Sequence, residues 1–465
     1  MFSGAPRIKG GAALCCWVHV NRPGRRVPAG PETGRPGILP QTDPRPLSTA
    51  SPSGFERTVL SSGVRVVTET IPTAHTAAVG VWVDAGSRDE TDAEGGITHF
   101  LEHMVFKGTA SRPGYLINQR MEAVGGYVNA FTSKEHTCFY AKGLAEHAGR
   151  ALDTVLDLVT VPTLPEKEIE KEKDVVLEEI KMYEDTPDDQ VFDLVEAAVY
   201  PGHPLGRPVI GTPESVRSFT RDALTAYLGR HYTPDRIVIA AAGAVRHADV
   251  VRLAAKLLAG FDRAPGAVER AAPVAYTPTT VELKRPTTQQ AHLVVSAPAF
   301  GAHDERRTAL SVLNTVLGGG MSSRLNQNVR EKYGWCYSVY SFVNVQADSG
   351  DVGAYIAVDP SRVERSRALI VREMQRLASE PVSARVLERA RQQLKGSIVL
   401  GLESTSSRMQ RLGRVELTYG REVPIAEVVA EIEAVTAEDV RAVAEDLFAE
   451  GRLTTVVLLP EDADD

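Results

Sequence analysis

Hydrophobic positions along the chain follow two spacings, one typical of strands and one typical of helices. Runs rich in Val, Ala and Thr predict strands at residues 64–68, at 77–83 and, as a pair, at 127–144. Helical spacing predicts helices at residues 97–106, 151–160 and 166–185. Strands and helices mixed in this order predict an α+β fold in which helices cover antiparallel-rich mixed sheets.

A sequence repeat predicts that this fold occurs twice. TRDALTAYLGRHYTPDRIVIAAAG, from Thr220, resembles TAEDVRAVAEDLFAEGRLTTVVLLP, from Thr436, and each segment has the pattern of a capped helix, a loop and a final strand. The interval is 216 residues, and Arg236 and Arg452 match at the same interval (452 minus 236). We therefore expect two homologous domains of ordinary size.

Composition divides the chain further. We expect a leader at residues 1–54, a first α+β domain at 55–262, a linker at 263–280 that is rich in Pro, Gly and Ala, and a second α+β domain at 281–465. The leader is rich in Pro, Gly and Arg, and three interpretations stay open for it: a disordered or over-extended N-terminus, a mitochondrial transit peptide, or an export signal.

Charge and cysteine content exclude several classes of protein. The 465 residues are 43% hydrophobic and carry a net charge of −8, which argues against nucleic acid or an anionic membrane as the main partner. No apolar run reaches the roughly 18 residues of a membrane-spanning helix. The four cysteines are too few and too scattered for a disulfide framework or a cysteine-based zinc site. We expect a cytoplasmic protein, or a mitochondrial matrix protein if the leader is a transit peptide.

Three titratable residues interrupt the apolar helix ITHFLEHMVF. On a helix, His99 and His103 lie one turn apart on one face, so both imidazoles can bind one zinc ion. Glu102 lies beside them and can accept a proton from metal-bound water, as in the H-x-x-E-H arrangement. The positions 216 residues later are Thr315, Gly318 and Gly319, so the trio belongs to one half only. A functional site on a duplicated scaffold would have this asymmetry.

A catalytic zinc site needs a third protein ligand. In the long charged helix, Glu172, Val176, Glu179 and Tyr183 form one stripe that should face inward. Helical spacing alone does not separate Glu179 from Glu178 as the ligand.

The segments HFLEHMVFKGT, GGYVNAFTSKEHTCFYA, EKEKDVVLEEI and VREKYGWCYSVYS resemble the insulinase and pitrilysin family of zinc metallopeptidases. Within this family the chain is similar to short two-domain members, including bacterial processing-type peptidases and the β subunit of mitochondrial processing peptidase. The resemblance implies two domains that face each other as a clamshell, and one Zn²⁺ per chain. It selects Glu179 as the third ligand, 76 residues after His103, and implies that Glu172 supports the site.

The resemblance also implies how substrate is handled. Asn129 and Ala130 would bind an extended peptide that adds to a sheet edge, and Arg330 and Tyr337 of the other half would reach the scissile peptide bond. Short members act as homodimers or with a related, catalytically defective subunit. The sequence therefore predicts a zinc endopeptidase for short or unfolded peptides. The alternative is a non-catalytic structural or substrate-binding subunit on the same scaffold.

Overall fold

The computed structural model describes residues 54–264, 269–273, 276–286 and 288–461. Apart from Gly54, the predicted leader lies outside these residues, and the domain boundaries given above stay predictions. The described residues form two β-sheets, one of six strands and one of five, with helices on both faces of each sheet. The predicted α+β class is therefore confirmed.

The strands of the first sheet are β1 (Phe55–Val59), β2 (Arg65–Thr70), β3 (Thr76–Val83), β4 (Tyr127–Thr132), β5 (Thr137–Leu144) and β6 (Ile237–Gly243). Those of the second sheet are β7 (Thr280–Arg285), β8 (Ala291–Ala299), β9 (Val339–Val345), β10 (Gly350–Val358) and β11 (Thr454–Pro460).

The helices up to β7 are α1 (Ile97–Val105), α2 (Gly114–Glu122), α3 (Ala148–Thr160), α4 (Glu166–Glu184), α5 (Pro187–Val199), α6 (Pro213–Ser218), α7 (Arg221–His231) and α8 (His247–Leu257). Those after β7 are α9 (Arg307–Leu317), a π-helix (Asn326–Glu331), α10 (Val363–Ser379), α11 (Ala384–Gly401), α12 (Thr405–Tyr419), α13 (Ile425–Ala434) and α14 (Ala437–Phe448).

The predicted repeat is present in the topology. The strand order is β1-β2-β6-β3-β5-β4 in the first sheet and β7-β11-β8-β10-β9 in the second, so the second order repeats the first without β1. In each sheet one pair is parallel, β2 with β6 and β7 with β11, and the other pairs are antiparallel. Thr220 and Thr436, matched in the sequence, both cap a helix by accepting a backbone hydrogen bond from the residue three positions later.

Successive side chains of a strand point to opposite faces of its sheet, and in both sheets the side chains on the two faces are mostly apolar. In β3, Val79, Val81 and Val83 point into the core beneath α1, α3 and α8, whereas Ala78 and Trp82 point to the opposite face. Both sets of side chains are buried. Each sheet therefore needs a helical layer on both sides.

The second layer on the first sheet comes from the other half of the chain. Helix α12 crosses β2, β6 and β3, where Met409 and Leu412 pack with Trp82. Two glycines permit this close approach, since a Cβ on Gly413 would lie 2.2 Å from Trp82 Nε1 and one on Gly80 would lie 2.4 Å from Met409 Sδ.

Helix α5 of the first half covers the second sheet in the same way. Val191 and Val195 pack on Val294 of β8 and Val456 of β11. Because α5 and α12 occupy the same place in the order of elements, the two halves exchange equivalent helices. This exchange ties the halves together through apolar contacts on both sheets.

Ion pairs add to the connection between the halves. Arg88, which is 4% exposed, contacts Glu135 of the first half at 2.6 Å and Asp348 of the second half at 2.7 Å. In the predicted linker, Arg270 pairs with Asp84 and Asp89. These ion pairs hold the part of the linker around Arg270 against the first half.

Candidate metal centre and active site

Helix α1 presents the predicted trio on one polar stripe. Its apolar side, with Phe100, Leu101 and Met104, is buried in the first core. Gly96 precedes the helix with φ of 87°, a left-handed conformation that suits glycine. The buried Glu90 carboxylate accepts hydrogen bonds from the Gly96 and Thr98 amides over 2.8 and 2.9 Å. It thereby satisfies backbone N–H groups that have no hydrogen-bond acceptor within the helix.

His99, His103 and Glu179 converge on one point. One ligand atom from each of the three lies within 4.8 Å of the other two. Glu179 Oε2 of α4 lies 3.9 Å from His99 Nε2 and 3.6 Å from His103 Nε2. Two imidazoles and one carboxylate are a usual donor set of a catalytic zinc site.

The neighbouring Glu178 points elsewhere. Its side chain is 73% exposed and pairs with Lys181 on the same helix. The structure thus brings Glu179, and not Glu178, to the histidines, which helical spacing alone did not decide.

Glu172 supports the cluster from two turns earlier on α4. Its Oε1 lies 2.9 Å from His103 Nδ1, so His103 can direct Nε2 toward a metal. Its Oε2 lies 2.5 Å from Lys107 Nζ. Burial alone would raise the pKa of Glu172, but the hydrogen bonds from His103 and Lys107 outweigh it and hold that pKa below its ordinary value.

His99 is also suited to bind a metal ion. Burial and the neighbouring His103 lower the pKa of His99 to about 3, so its imidazole is neutral. Neutral imidazole is the form that coordinates metal ions.

Glu102 lies beside the cluster without belonging to the ligand set. Burial raises the pKa of its carboxyl, while a hydrogen bond from Thr132 opposes the shift. Thr132 Oγ1 donates to Glu102 Oε2 over 2.5 Å.

Negative charge is concentrated around this point. Burial and the carboxylates of Glu179, Asp189 and Asp193 raise the pKa of Tyr183, on α4, to about 12. Several carboxylates in one partly buried region repel one another, and a divalent cation would relieve that repulsion. The residues present therefore fit a Zn²⁺ ion.

Asn129 and Ala130 lie on β4, the edge strand nearest the cluster. The Ala130 amide donates to Asn129 Oδ1 over 2.9 Å. Strand β4 contacts α1, so the predicted peptide-binding residues and the metal cluster lie at the same end of the first sheet.

In the described part of the chain, Arg330 and Tyr337 lie against each other and make no direct contact with the metal cluster. Arg330 contacts Met321 Sδ at 3.0 Å and lies over the Tyr337 ring at 5.6 Å, and Tyr337 is 72% exposed. Among the described residues, neither has a hydrogen bond, ion pair or ring contact with His99, His103 or Glu179.

Sequence reasoning missed Lys107 and Thr132. Lys107 is the second residue after α1, within the FKGT segment, and Thr132 ends β4. Their contacts join different elements, so no spacing along one helix or strand could reveal them. The available signal was that both lie inside the segments that carry the family resemblance.

Comparisons with known proteins show which family the chain belongs to. The family model described as insulinase, peptidase family M16, matches residues 65–213, and the model described as peptidase M16 inactive domain matches residues 218–394. An uncharacterized zinc protease of Streptomyces coelicolor is 43% identical over 84% of this chain and 87% of its own length. The uncharacterized zinc protease YmxG of Bacillus subtilis is 42% identical over 85% of this chain and 96% of its own length.

A probable mitochondrial-processing peptidase subunit beta of Arabidopsis thaliana is 37% identical over 83% of this chain and 75% of its own length. Among solved structures, a protease from Helicobacter pylori has a TM-score of 0.80 at 21% identity, over 88% of this chain and all of the other. That structure shows the fold alone.

Two homologous halves and an H-x-x-E-H metal cluster define a metallopeptidase class with the inverted zinc motif. The chain belongs to the insulinase family of this class, peptidase family M16. Its cofactor is zinc.

No helix in the described part of the chain combines the length and the apolar character needed to cross a bilayer. The cytoplasmic or mitochondrial location stays a prediction.

Proposed function

We propose that the protein is a zinc-dependent endopeptidase that hydrolyses short or unfolded peptides. The observation that carries this proposal is the convergence of His99, His103 and Glu179 with Glu102 beside them. A purely structural metal site would usually have four protein ligands and no need of a neighbouring base.

His99, His103 and Glu179 would hold the zinc ion. When bound there, zinc acidifies water and polarises the peptide carbonyl. Glu172 keeps the His103 ring in one orientation by accepting from Nδ1, and Lys107 fixes the other oxygen of Glu172. These contacts hold the ligand set in place before substrate arrives.

Glu102 would act as the general base and then as the general acid. It would accept a proton from the attacking water and return it to the leaving amine. Burial, which raises the pKa of its carboxyl, suits a group that must both take up and release a proton near neutral pH.

The free edge of β4 would hold the substrate as an added strand, with Asn129 and Ala130 contributing. Main-chain hydrogen bonds would supply most of the affinity, so peptides of many sequences would be accepted. A folded protein offers few extended segments, so short or unfolded peptides are favoured.

The functional form would be a dimer of this chain, or a pair with a related subunit. Support comes from Arg330 and Tyr337, which form an exposed pair without contact to the metal cluster of their own chain. The exchange of α5 and α12 holds the halves of one chain together, so a second chain is the simpler source of an arginine and a tyrosine at the substrate carbonyl. They would bind the developing oxyanion there.

The first experiment is to measure cleavage of a quenched fluorescent peptide library before and after chelation and restoration of zinc. We expect cleavage that is lost with zinc and returns with it. Zinc-loaded protein that is inert, even after addition of any copurifying subunit, would instead favour the non-catalytic alternative. The inactive-domain family model matches residues 218–394, which do not include the metal cluster, so it does not favour that alternative.

A further inference from the structure

Thr132 makes an unusual contact for a residue at the end of a strand. Its hydroxyl donates to Glu102 Oε2, and this is the one hydrogen bond that the Glu102 side chain makes with any described residue. Hydrogen bonds to a charged group are among the stronger ones in proteins. The orientation of the Glu102 carboxylate therefore depends on a neutral hydroxyl from another element.

The register of β4 shows what else Thr132 can do. In an antiparallel pair, residues alternate between bonding to the partner strand and directing their amide and carbonyl groups away from it. At the turn, Ser133 donates to the His136 carbonyl over 2.9 Å, so Ser133 bonds inward. The alternation then leaves the main-chain groups of Thr132, Ala130 and Val128 directed to the free edge of β4. A peptide added to this edge would bond to Thr132.

The second half provides an internal control. Thr132 forms the last pair of the β4–β5 hairpin, with Thr137, and Val345 forms the last pair of the equivalent β9–β10 hairpin, with Gly350. Valine has nearly the shape of threonine without the hydroxyl. The scaffold therefore folds without a hydroxyl at this position, and the hydroxyl is present in the half that also has Glu102.

We propose that Thr132 is a positioning residue that fixes the Glu102 carboxylate in register with a peptide bound at the free edge of β4. One residue would thereby align both the base, through its hydroxyl, and the substrate, through its main chain. This inference rests on the proposed peptidase function.

Kinetics of Thr132→Val and Thr132→Ser provide the first test. For Thr132→Val we expect kcat to fall about 10- to 100-fold, because a hydrogen bond to a charged group is lost, with KM and zinc content close to wild type. Thr132→Ser keeps the hydroxyl and should restore most of kcat. Loss of zinc or a lower Tm in Thr132→Val would overturn the proposal, as would failure of Thr132→Ser to recover activity.

A second test does not depend on turnover. A tripeptide hydroxamate is titrated calorimetrically into zinc-loaded protein, where its N–H and O–H groups can bond to Glu102. We expect Thr132→Val to weaken binding about tenfold when Glu102 is present and less than about twofold in the Glu102→Gln background. Equal weakening in both backgrounds would show that Thr132 does not act through Glu102. If the wild type cleaves no peptide, the proposed function fails, yet this cycle still decides the role of Thr132.

Discussion

The two halves of the molecule share a topology and differ in chemistry at one sheet edge. In the first half, α1 carries His99, Glu102 and His103 beside β4, whose outer edge pairs with no strand in the described part of the chain. In the second half, the equivalent helix α9 also has an apolar stripe but contains no His, Asp or Glu, and it is followed by Gly318 to Gly320. The scaffold requires the apolar stripe, which occurs twice, and the titratable groups occur once because they serve the site.

In the second sheet, the outer edge of strand β9 is contacted by other residues of the same chain. Gly318 packs so closely that a Cβ there would lie 2.2 Å from the Ser341 amide, and Asn326 Nδ2 donates to the Val339 carbonyl over 3.2 Å. An added strand would have to displace both contacts. Among the described residues, β4 thus has an outer edge without a paired strand, whereas β9 has contacts from Gly318 and Asn326 at its outer edge.

The variant with the largest expected effect tests whether the metal ion binds in the first half. Glu179→Gln removes one of the three proposed ligands, and we expect zinc affinity to fall at least about 100-fold, more than is usual for an outer partner of a ligand. Glu178→Gln is the matched control, since Glu178 is exposed and pairs with Lys181. Zinc competition with a chelator measures both. Equal zinc affinity in the two variants would show that Glu179 does not bind the metal ion.

A mixing experiment tests whether the second half contributes in trans. Glu102→Gln and Arg330→Ala chains should each be nearly inactive alone. If Arg330 acts on the partner's site, one site in each mixed dimer is intact, so random exchange at equal amounts should restore about a quarter of wild-type activity. Cleavage assays after refolding the mixture measure this. No recovery, with mixed dimers shown by mass spectrometry, would place Arg330 in its own chain's site or outside catalysis.

The smallest expected effect concerns two helix N-caps that are equivalent in the two halves. Thr220→Ala and Thr436→Ala each remove a helix N-cap, and each should cost about 1 kcal/mol of stability. Urea denaturation measures the loss, and zinc content should not change in either variant. A loss of zinc with Thr220→Ala alone would show that α7 supports the metal centre as well as the fold.

The periodic features of the fold could be predicted from the sequence. The strand predicted at residues 77–83 is β3, and the helix predicted at 166–185 is α4, each within a residue at either end. These elements have strong patterns because each buries at least one regular stripe. The repeat interval of 216 residues also predicted the matched caps at Thr220 and Thr436 correctly.

Tertiary arrangement could not be predicted in the same way. The exchange of α5 and α12 depends on which sheet each helix covers, and an apolar stripe does not specify its partner. In the site, helical spacing predicted that His99 and His103 lie together. The choice of Glu179 over Glu178 came from the family resemblance alone, because it depends on how α4 packs on α1. Contacts between distant elements, such as that of Thr132 with Glu102, leave no periodic signal.

The most direct test of the account is cleavage of a quenched peptide library by wild-type and Glu102→Gln protein at equal, measured zinc content. We predict that both hold about one zinc per chain, and that Glu102→Gln cleaves about 100- to 10,000-fold more slowly because the base is lost. Equal cleavage by the two proteins would contradict the central claim, since hydrolysis would then not use the carboxylate beside the metal centre.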